Sequence, residues 1–146
     1  MKTIEIYTDG ACSHNPGMGG WAAVCKCGDF IRKVSGGEKE TTNNRMELAA
    51  VIGGLKALKS PHEVIVYTDS KYMIDVLCGH TPSWINIPGR KNQDLLLEII
   101  KTKREGGHKV KFVKIPAHSG NAMNELADKL AKAEIVKLRH EVYGGK

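Results

Sequence analysis

The chain has 146 residues, of which 41% are hydrophobic and 26% are charged. This is the size and balance of one soluble globular domain. No apolar run approaches the length that crosses a bilayer and no apolar leader follows Met1, so a membrane protein is excluded and the cytoplasm is expected. The formal net charge of +6 favours a polyanionic partner.

The first part of the chain predicts three strands. Residues 3–8 alternate apolar and polar side chains, which indicates a strand. Residues 10–20 hold four glycines and a proline, which indicates a turn-rich loop. That loop either connects antiparallel strands or lets a ligand approach the backbone closely. Residues 21–26 and 30–34 read as a hairpin, and residues 36–42 as a polar connection.

The remainder alternates helices and strands. In order we predict a helix between cap candidates at 41–44 and Pro61, a strand at 64–67, a helix at 70–77, an irregular loop at 78–89, a helix ending near 106–107, a strand at 109–115, a loop at 116–123 and a helix at 124–138. Residues 139–146 are expected to form a frayed tail. This order predicts an α/β fold, a five-stranded mixed sheet flanked by helices on both faces, in one domain spanning residues 1–146.

One short string occurs twice. Tyr7-Thr8-Asp9 ends the first predicted strand, and Tyr67-Thr68-Asp69 ends the fourth, sixty residues later. If the two strands run parallel with aligned ends, Asp9 and Asp69 emerge side by side, where open α/β sheets bind ligands. Two carboxylates held that close repel each other, which favours a cation between them.

Two further acids, Glu47 and Asp128, stand near the ends of predicted elements. Three of the four acids also have an ordinary structural interpretation. Asp69 can cap the helix that follows it, and Glu47 can be the acid of an Asn44–Glu47 capping box. Asp128 can complement a helix dipole and pair with Lys132. Asp9 is harder to explain in this way, because an acid at the end of a buried strand needs a partner.

Taken together, the four acids predict a metal site. Hard cations such as Mg²⁺ take oxygen ligands from a few carboxylates and from substrate phosphates. Two such ions can clamp the attacking and leaving oxygens of a phosphoryl displacement, with no covalent protein intermediate. The four cysteines do not compete, because none stands in a zinc-binding spacing and all are expected to be free thiols.

Several specific motifs follow one another in order along the chain. They are Tyr7-Thr8-Asp9-Gly10-Ala11, Asn15-Pro16-Gly17, Thr42-Asn43-Asn44-Arg45-Met46-Glu47-Leu48, Tyr67-Thr68-Asp69-Ser70, His118-Ser119-Gly120 and Asn124-Glu125-Leu126-Ala127-Asp128. Together they resemble type 1 ribonuclease H over nearly the whole chain. The resemblance implies a ribonuclease H-like fold and cleavage of the RNA strand of RNA–DNA hybrids, leaving 3′-hydroxyl and 5′-phosphate ends.

The resemblance also assigns roles to residues. The metal ligands would be Asp9, Glu47, Asp69 and Asp128. His118 would be the mobile loop histidine that assists turnover, although by itself it reads as a solvated loop residue.

The substrate contacts come from the same resemblance. Asn15, Asn43 and Asn44 match positions that read the RNA strand, with Cys12 nearby in the same loop. The ordinary interpretation of Asn15 is as a turn residue, and that of Asn43 and Asn44 is as helix caps. A residue can have both the structural and the substrate-binding role. Thr42 and Asn92 match positions that grip a phosphate of the DNA strand.

Two departures from the family pattern stand out. Lys71 occupies a position that is often Gln, which exchanges a base contact for a phosphate contact. Many bacterial members carry a basic helix and loop that hold the hybrid, whereas residues 78–89 here have no charge apart from His80. We therefore expect weaker and more salt-sensitive capture of substrate.

The sequence thus predicts a monomeric endonuclease that depends on Mg²⁺, with Mn²⁺ as a possible substitute, that acts on RNA–DNA hybrids and needs no protein partner. One alternative keeps the fold but cuts DNA, in the manner of an integrase or a junction resolvase. A second alternative is a hybrid-binding module without catalysis. Four clustered acids argue against the second, because a phosphate binder gains nothing from negative charge.

Overall fold

A computed structural model describes residues 3–77, 91–116 and 120–143, and five strands within these ranges form one sheet. The strands are β1 (Thr3–Cys12), β2 (Gly17–Cys27), β3 (Phe30–Thr41), β4 (Glu63–Thr68) and β5 (Lys109–Lys114). Their spatial order is β3-β2-β1-β4-β5. The β1–β2 and β2–β3 pairs are antiparallel, and the β1–β4 and β4–β5 pairs are parallel. The predicted mixed sheet is confirmed.

Helices cover both faces of the sheet, as predicted. They are α1 (Asn43–Lys56), α2 (Lys71–Leu77), α3 (Gln93–Gly106) and α4 (Ala122–Tyr143). One core lies between the sheet and α1 to α3, where Ile6, Leu48 and Leu96 are fully or almost fully buried. A smaller core lies on the other face, where Val24 packs with Ala127 of α4. Alternate residues of each central strand supply the two cores, which is the period-two pattern of a sheet buried on both sides.

The parallel pairing of β1 and β4 sets the geometry of the site. Tyr7 lies opposite Tyr67, and the offset of sixty residues holds from Thr3 onward. The two tyrosine rings stack with their centroids 4.7 Å apart. The repeated string therefore marks two neighbouring strands in register.

The first three strands are longer than predicted. Residues 36–42, predicted as a connection, largely belong to β3, and the expected loop at 10–20 shrinks to residues 13–16. The glycines lie within strands at points of close approach. A Cβ on Gly20 would overlap the carbonyl oxygen of Ala131 in α4, and one on Gly37 would lie 2.9 Å from Leu138 Cδ1. These glycines let a helix or a large side chain pack against the sheet.

Helix α4 extends beyond its predicted end. It continues to Tyr143, so the expectation of a frayed tail is wrong for residues 139–143. Ile135 is buried and Leu138 packs over Gly37, so the long β3 strand supports the end of the helix. Residues 144–146, the predicted loop at 78–89 and His118 lie outside the described residues.

No helix in the described ranges combines the length and the apolar character needed to span a bilayer.

Candidate active site

Three acids meet where β1 and β4 end. Asp9 lies in β1, Asp69 directly follows β4, and Glu47 faces them from the second turn of α1. Each contributes a carboxylate oxygen, and these three oxygens lie within 4.8 Å of one another. Asp9 and Glu47 are only 5% and 4% exposed. The cluster therefore combines close approach with almost complete burial of Asp9 and Glu47, whereas Asp69 is half-buried.

Asp128 joins the cluster from the opposite face of the sheet. It lies near the start of α4, close enough to Asp9 to raise the pKa of that carboxyl, and forms an ion pair with Lys132 Nζ at 3.1 Å. All four acids line one open cleft of about 450 Å³. Lys132 also lines this cleft. Its i+4 spacing from Asp128 is the feature of the sequence that indicates a position beside that acid.

Thr42, and not Asn44, caps α1, which leaves Glu47 free for the cleft. The Thr42 hydroxyl accepts a hydrogen bond from the Arg45 backbone N–H at 3.3 Å. The predicted capping box of Asn44 with Glu47 is therefore wrong. Arg45 lies three residues after Thr42, where a capping box requires Glu or Gln, so Thr42 does not form a capping box either.

Gly10 brings α1 and β1 together. Its N–H donates to Asp9 Oδ1 at 3.0 Å. A Cβ built on Gly10 would lie 2.5 Å from the Glu47 nitrogen and 2.6 Å from the Met46 carbonyl carbon. Only glycine lets the first turns of α1 approach the strand this closely, and this approach places Glu47 beside Asp9.

Burial and neighbouring carboxylates make negative charge in the cluster unfavourable. Burial, the charge of Asp69 and a hydrogen bond with Asp128 raise the pKa of Asp9 from 3.8 to about 8. Burial and the charges of Asp9 and Asp69 raise the pKa of Glu47 well above its usual range. One Glu47 oxygen, Oε1, is buried without a hydrogen-bond partner. Without a cation, the cluster must hold protons at neutral pH.

This donor set fits a hard divalent cation. All the groups in the cluster are carboxylates, and the unpartnered Glu47 oxygen is the kind of buried acceptor that a cation satisfies. Within the described residues this is also the single group of three or more acids, histidines or cysteines whose ligand atoms come close enough to share a metal ion.

The loop between β1 and β2 is tied to the start of α1. Asn15 Oδ1 accepts the Asn43 backbone N–H at 2.8 Å. Cys12 Sγ donates to the carbonyl oxygens of His14, at 2.6 Å, and Thr41, at 3.4 Å. Cys12 and Asn43 line the cleft beside the acids. Three of the predicted substrate residues are thus brought to one rim of the site.

Arg45 connects two more of the predicted contacts, Thr42 and Asn92, and no local pattern in the sequence indicated this role. Its guanidinium pairs with Asp94 through two hydrogen bonds of 3.0 and 2.7 Å and donates to Asn92 Oδ1 at 3.4 Å. Asn92 donates in turn to the Tyr72 hydroxyl at 2.9 Å. Through its backbone and its side chain, Arg45 thereby joins Thr42 to Asn92.

Asn44 and Lys71 make no such contact with the cluster. Asn44 is half-buried in the first turn of α1. Lys71 begins α2, where its side chain is 82% exposed and lies 3.5 Å from Asp75. Lys71 is thus paired with Asp75 and is not among the residues that line the cleft.

Comparisons with known proteins agree with one another. The RNase H family model matches residues 1–136. Over 143 residues the chain is 44% identical to ribonuclease HI of Campylobacter jejuni, covering 97% of each protein. It is 46% identical to ribonuclease H of Erythrobacter litoralis over 138 residues, covering 90% of this chain and 94% of the relative. The structure of LC11-RNase H1 in complex with an RNA/DNA hybrid superposes with a TM-score of 0.71 at 28% identity, covering 92% of this chain and 98% of that one.

Proposed function

The chain belongs to the ribonuclease H family and is a hydrolase that cuts the RNA strand of RNA–DNA hybrids, and we propose that two Mg²⁺ ions held by its clustered acids carry the reaction. The proposed ligands are Asp9, Glu47, Asp69 and Asp128. The observation that carries this proposal is the approach of three buried or half-buried carboxylates to within 4.8 Å of one another. The proposed products end in a 3′-hydroxyl and a 5′-phosphate.

The cluster divides into an anchored part and an accessible part. Asp9 and Glu47 are held by burial and by the close contact with Gly10. Asp128 is the more open acid, and Lys132 provides it with a cation at 3.1 Å. When bound, the metal ions activate a water molecule and neutralise the charge that develops on the scissile phosphate. The side chains supply fixed oxygen ligands on one side and leave the other side open to the substrate.

Recognition of the RNA strand is proposed for the amide-rich rim. The Asn15 oxygen is engaged by Asn43, so its NH₂ group remains to donate to a ribose 2′-hydroxyl. Asn43, Asn44 and Cys12 complete this rim. A 2′-hydroxyl is what distinguishes RNA from DNA at such a contact.

Contacts with the DNA strand are proposed for the Arg45 network. Thr42 and Asn92, both bonded to Arg45, would hold a phosphate of the DNA strand, and Lys71 would contact a phosphate from its exposed position. His118 is proposed to assist product release. Mn²⁺ is proposed to substitute for Mg²⁺, and the chain is proposed to act as a cytoplasmic monomer without an obligate protein partner.

The proposed reaction is tested by digestion of three end-labelled duplexes of one sequence: an RNA–DNA hybrid, duplex DNA and duplex RNA, each with Mg²⁺ and with EDTA. We expect cleavage of the hybrid alone, in the RNA strand and only with Mg²⁺. Cleavage of duplex DNA would support the integrase-like alternative, and hybrid binding without cleavage would support the binding module.

Binding of Mg²⁺ is expected to depend on pH. Because the pKa of Asp9 is about 8 and that of Glu47 is also raised in the metal-free protein, the ion must displace at least about one proton at pH 7. Its affinity should therefore rise at least about tenfold per pH unit until pH 8. Calorimetric titration at pH 7 in two buffers of different ionisation enthalpy measures the released protons. An Mg²⁺ affinity that is constant between pH 6.5 and pH 8.5 would contradict this prediction.

Arg45→Met is expected to raise KM for the hybrid about 3- to 10-fold, because Asn92 loses the contact that orients it. Lys56→Met is the matched control. Lys56 also joins α1 to α3, through Glu98 at 3.2 Å, but at the other end of α1. Steady-state kinetics of both variants measure KM, and thermal unfolding measures stability, so an effect on substrate binding is distinguished from an effect on folding. Equal changes in KM would show that Arg45 acts only on stability.

A further inference from the structure

A second cleft lies beside the one that holds the acids. It has a volume of about 460 Å³ and lies between the β1–β2 loop, the end of β3 and the last turns of α4. Its lining includes His14, Met18, Lys39, Glu40, Arg139 and Tyr143. No role in the reaction proposed above depends on these residues.

The walls of the active-site cleft continue into this second cleft. The loop after β1 contributes Cys12 to the first cleft and His14 to the second. The chain around the β3–α1 junction likewise contributes Asn43 to the first and Lys39 to the second. The two clefts are therefore neighbours in space, separated by a few residues along each wall.

Helix α4 forms the third shared wall. Asp128 and Lys132 line the first cleft, and Arg139 and Tyr143 line the second. Spacings of four, seven and four residues keep these side chains on one face of a helix. Asp128 and Arg139 are eleven residues apart, which is about 16 Å along the helix at 1.5 Å per residue. That distance corresponds to about five base pairs of a duplex at 3.4 Å each.

The second cleft holds cations that the protein leaves unpaired. Within residues 3–77, 91–116 and 120–143, neither Lys39 nor Arg139 forms an ion pair. Glu40 opposes them, so the lysine, the arginine and the glutamate sum to one positive charge. Tyr143 is 74% exposed and adds an aromatic surface at the far end. Unpaired cations with an exposed aromatic ring suit a sugar-phosphate chain.

We propose that this cleft is a remote subsite that holds the RNA strand of the hybrid about five nucleotides from the scissile phosphate, through Lys39 and Arg139. The inference rests on the hybrid being the substrate, as proposed above. Lys39 and Arg139 would supply positive charge for substrate binding that residues 78–89 lack, because those residues carry no charged side chain apart from His80. The contact holds phosphates, so it adds affinity without reading sequence.

The test uses hybrids with one cleavable site, made by placing four ribonucleotides within a DNA strand. One hybrid extends twelve base pairs on both sides of the site, and two others keep only three base pairs on one side or the other. Arg139→Ala and Lys39→Ala are each expected to raise KM for the long hybrid about 3- to 10-fold and to lower its salt slope by about 0.9. The effect should disappear with one of the two shortened hybrids, which identifies the direction in which the strand runs.

Two further variants make the test specific. Lys137→Ala removes the same charge from α4, but Lys137 pairs with Glu134 and does not line the cleft, so its KM should stay at the wild-type value. Glu40→Gln removes the opposing charge and should lower KM for the long hybrid. The subsite is refuted if Arg139→Ala matches Lys137→Ala on the long hybrid, or if its effect is the same on all three hybrids. Absence of cleavage by the wild type would instead refute the proposed function.

Discussion

Asp9→Asn is expected to reduce hybrid cleavage at least about 1,000-fold while leaving hybrid binding within about threefold of the wild type. Asp9 lies at the centre of the cluster, beside Glu47, Asp69 and Asp128, so an amide at this position removes the charge that a metal ion needs. We propose that hybrid binding depends on the rim and on surface cations, which the substitution does not touch. Single-turnover cleavage with Mg²⁺, and hybrid binding measured with Ca²⁺ in place of Mg²⁺, provide the two values.

The same variant should be more stable than the wild type without metal. The folded-state pKa of Asp9, about 8, lies above its ordinary value of 3.8, so the wild type loses stability as pH rises from about 4 to 8. Asn has no such proton to lose. We therefore expect the free energy of unfolding in EDTA to favour the variant by about 4 kcal/mol more at pH 8.5 than at pH 5, because about three pH units of this range lie between the two pKa values, at about 1.4 kcal/mol each.

Asp29→Asn is the matched control for this experiment, because Asp29 is an exposed acid at the β2–β3 turn. It should cut the hybrid at the wild-type rate and show no pH-dependent gain in stability. If Asp9→Asn cuts at more than a tenth of the wild-type rate, or is destabilised at pH 8.5, Asp9 does not occupy a charge-strained metal site.

Gly10→Ala should have the second largest effect, a loss of about 3 kcal/mol in stability together with a loss of at least about 100-fold in cleavage rate. The new methyl group would lie 2.5 Å from the Glu47 nitrogen, which is backbone in the first turns of α1 and cannot rotate away. The helix must move outward, which separates the Glu47 carboxylate from Asp9. Urea unfolding and single-turnover cleavage measure the two losses.

Gly54→Ala tests whether contact with backbone is the cause. Gly54 lies near the other end of α1, and its Cβ would lie 2.9 Å from Ile6 Cγ2 in β1 and 3.1 Å from Ala23 Cβ in β2, which are side-chain atoms. Overpacking against Ile6 and Ala23, which are both fully buried, should cost about 1–3 kcal/mol in stability. Because the contact does not involve Glu47, cleavage should be unchanged. Similar losses of cleavage rate for both variants would mean that general overpacking, and not displacement of Glu47, explains the effect of Gly10→Ala.

The sequence predicted the centre of the site well for a physical reason. Asp9 lies in β1 and Asp69 directly follows β4, and these two parallel strands pair with their repeated strings in register. A local pattern was therefore enough to place two distant carboxylates side by side. The acid in α1 was less clear, because Glu47 has the spacing of a capping residue and only the Thr42 contact shows that it is not one.

The misjudged parts depend on contacts between distant segments. The sequence places Gly10 and Gly20 in a predicted loop and Gly37 in a predicted polar connection, but each is a point where a helix or one of its side chains crosses a strand. The role of Arg45 depends on Asp94, which lies 49 residues away in another helix. Neither helical nor strand periodicity in the sequence indicates a contact between two residues so far apart along the chain. The length of α4 was missed for the same reason, since its last turns rest on β3.

Substitution of sulfur for one nonbridging oxygen of the scissile phosphate tests the central claim most directly. If ions held by the four acids contact that oxygen, one sulfur diastereomer should be cut at least about tenfold more slowly with Mg²⁺, and Mn²⁺, which accepts sulfur more readily, should restore most of the rate. Equal rates for both diastereomers with either ion, or cleavage that persists in EDTA, would contradict the account.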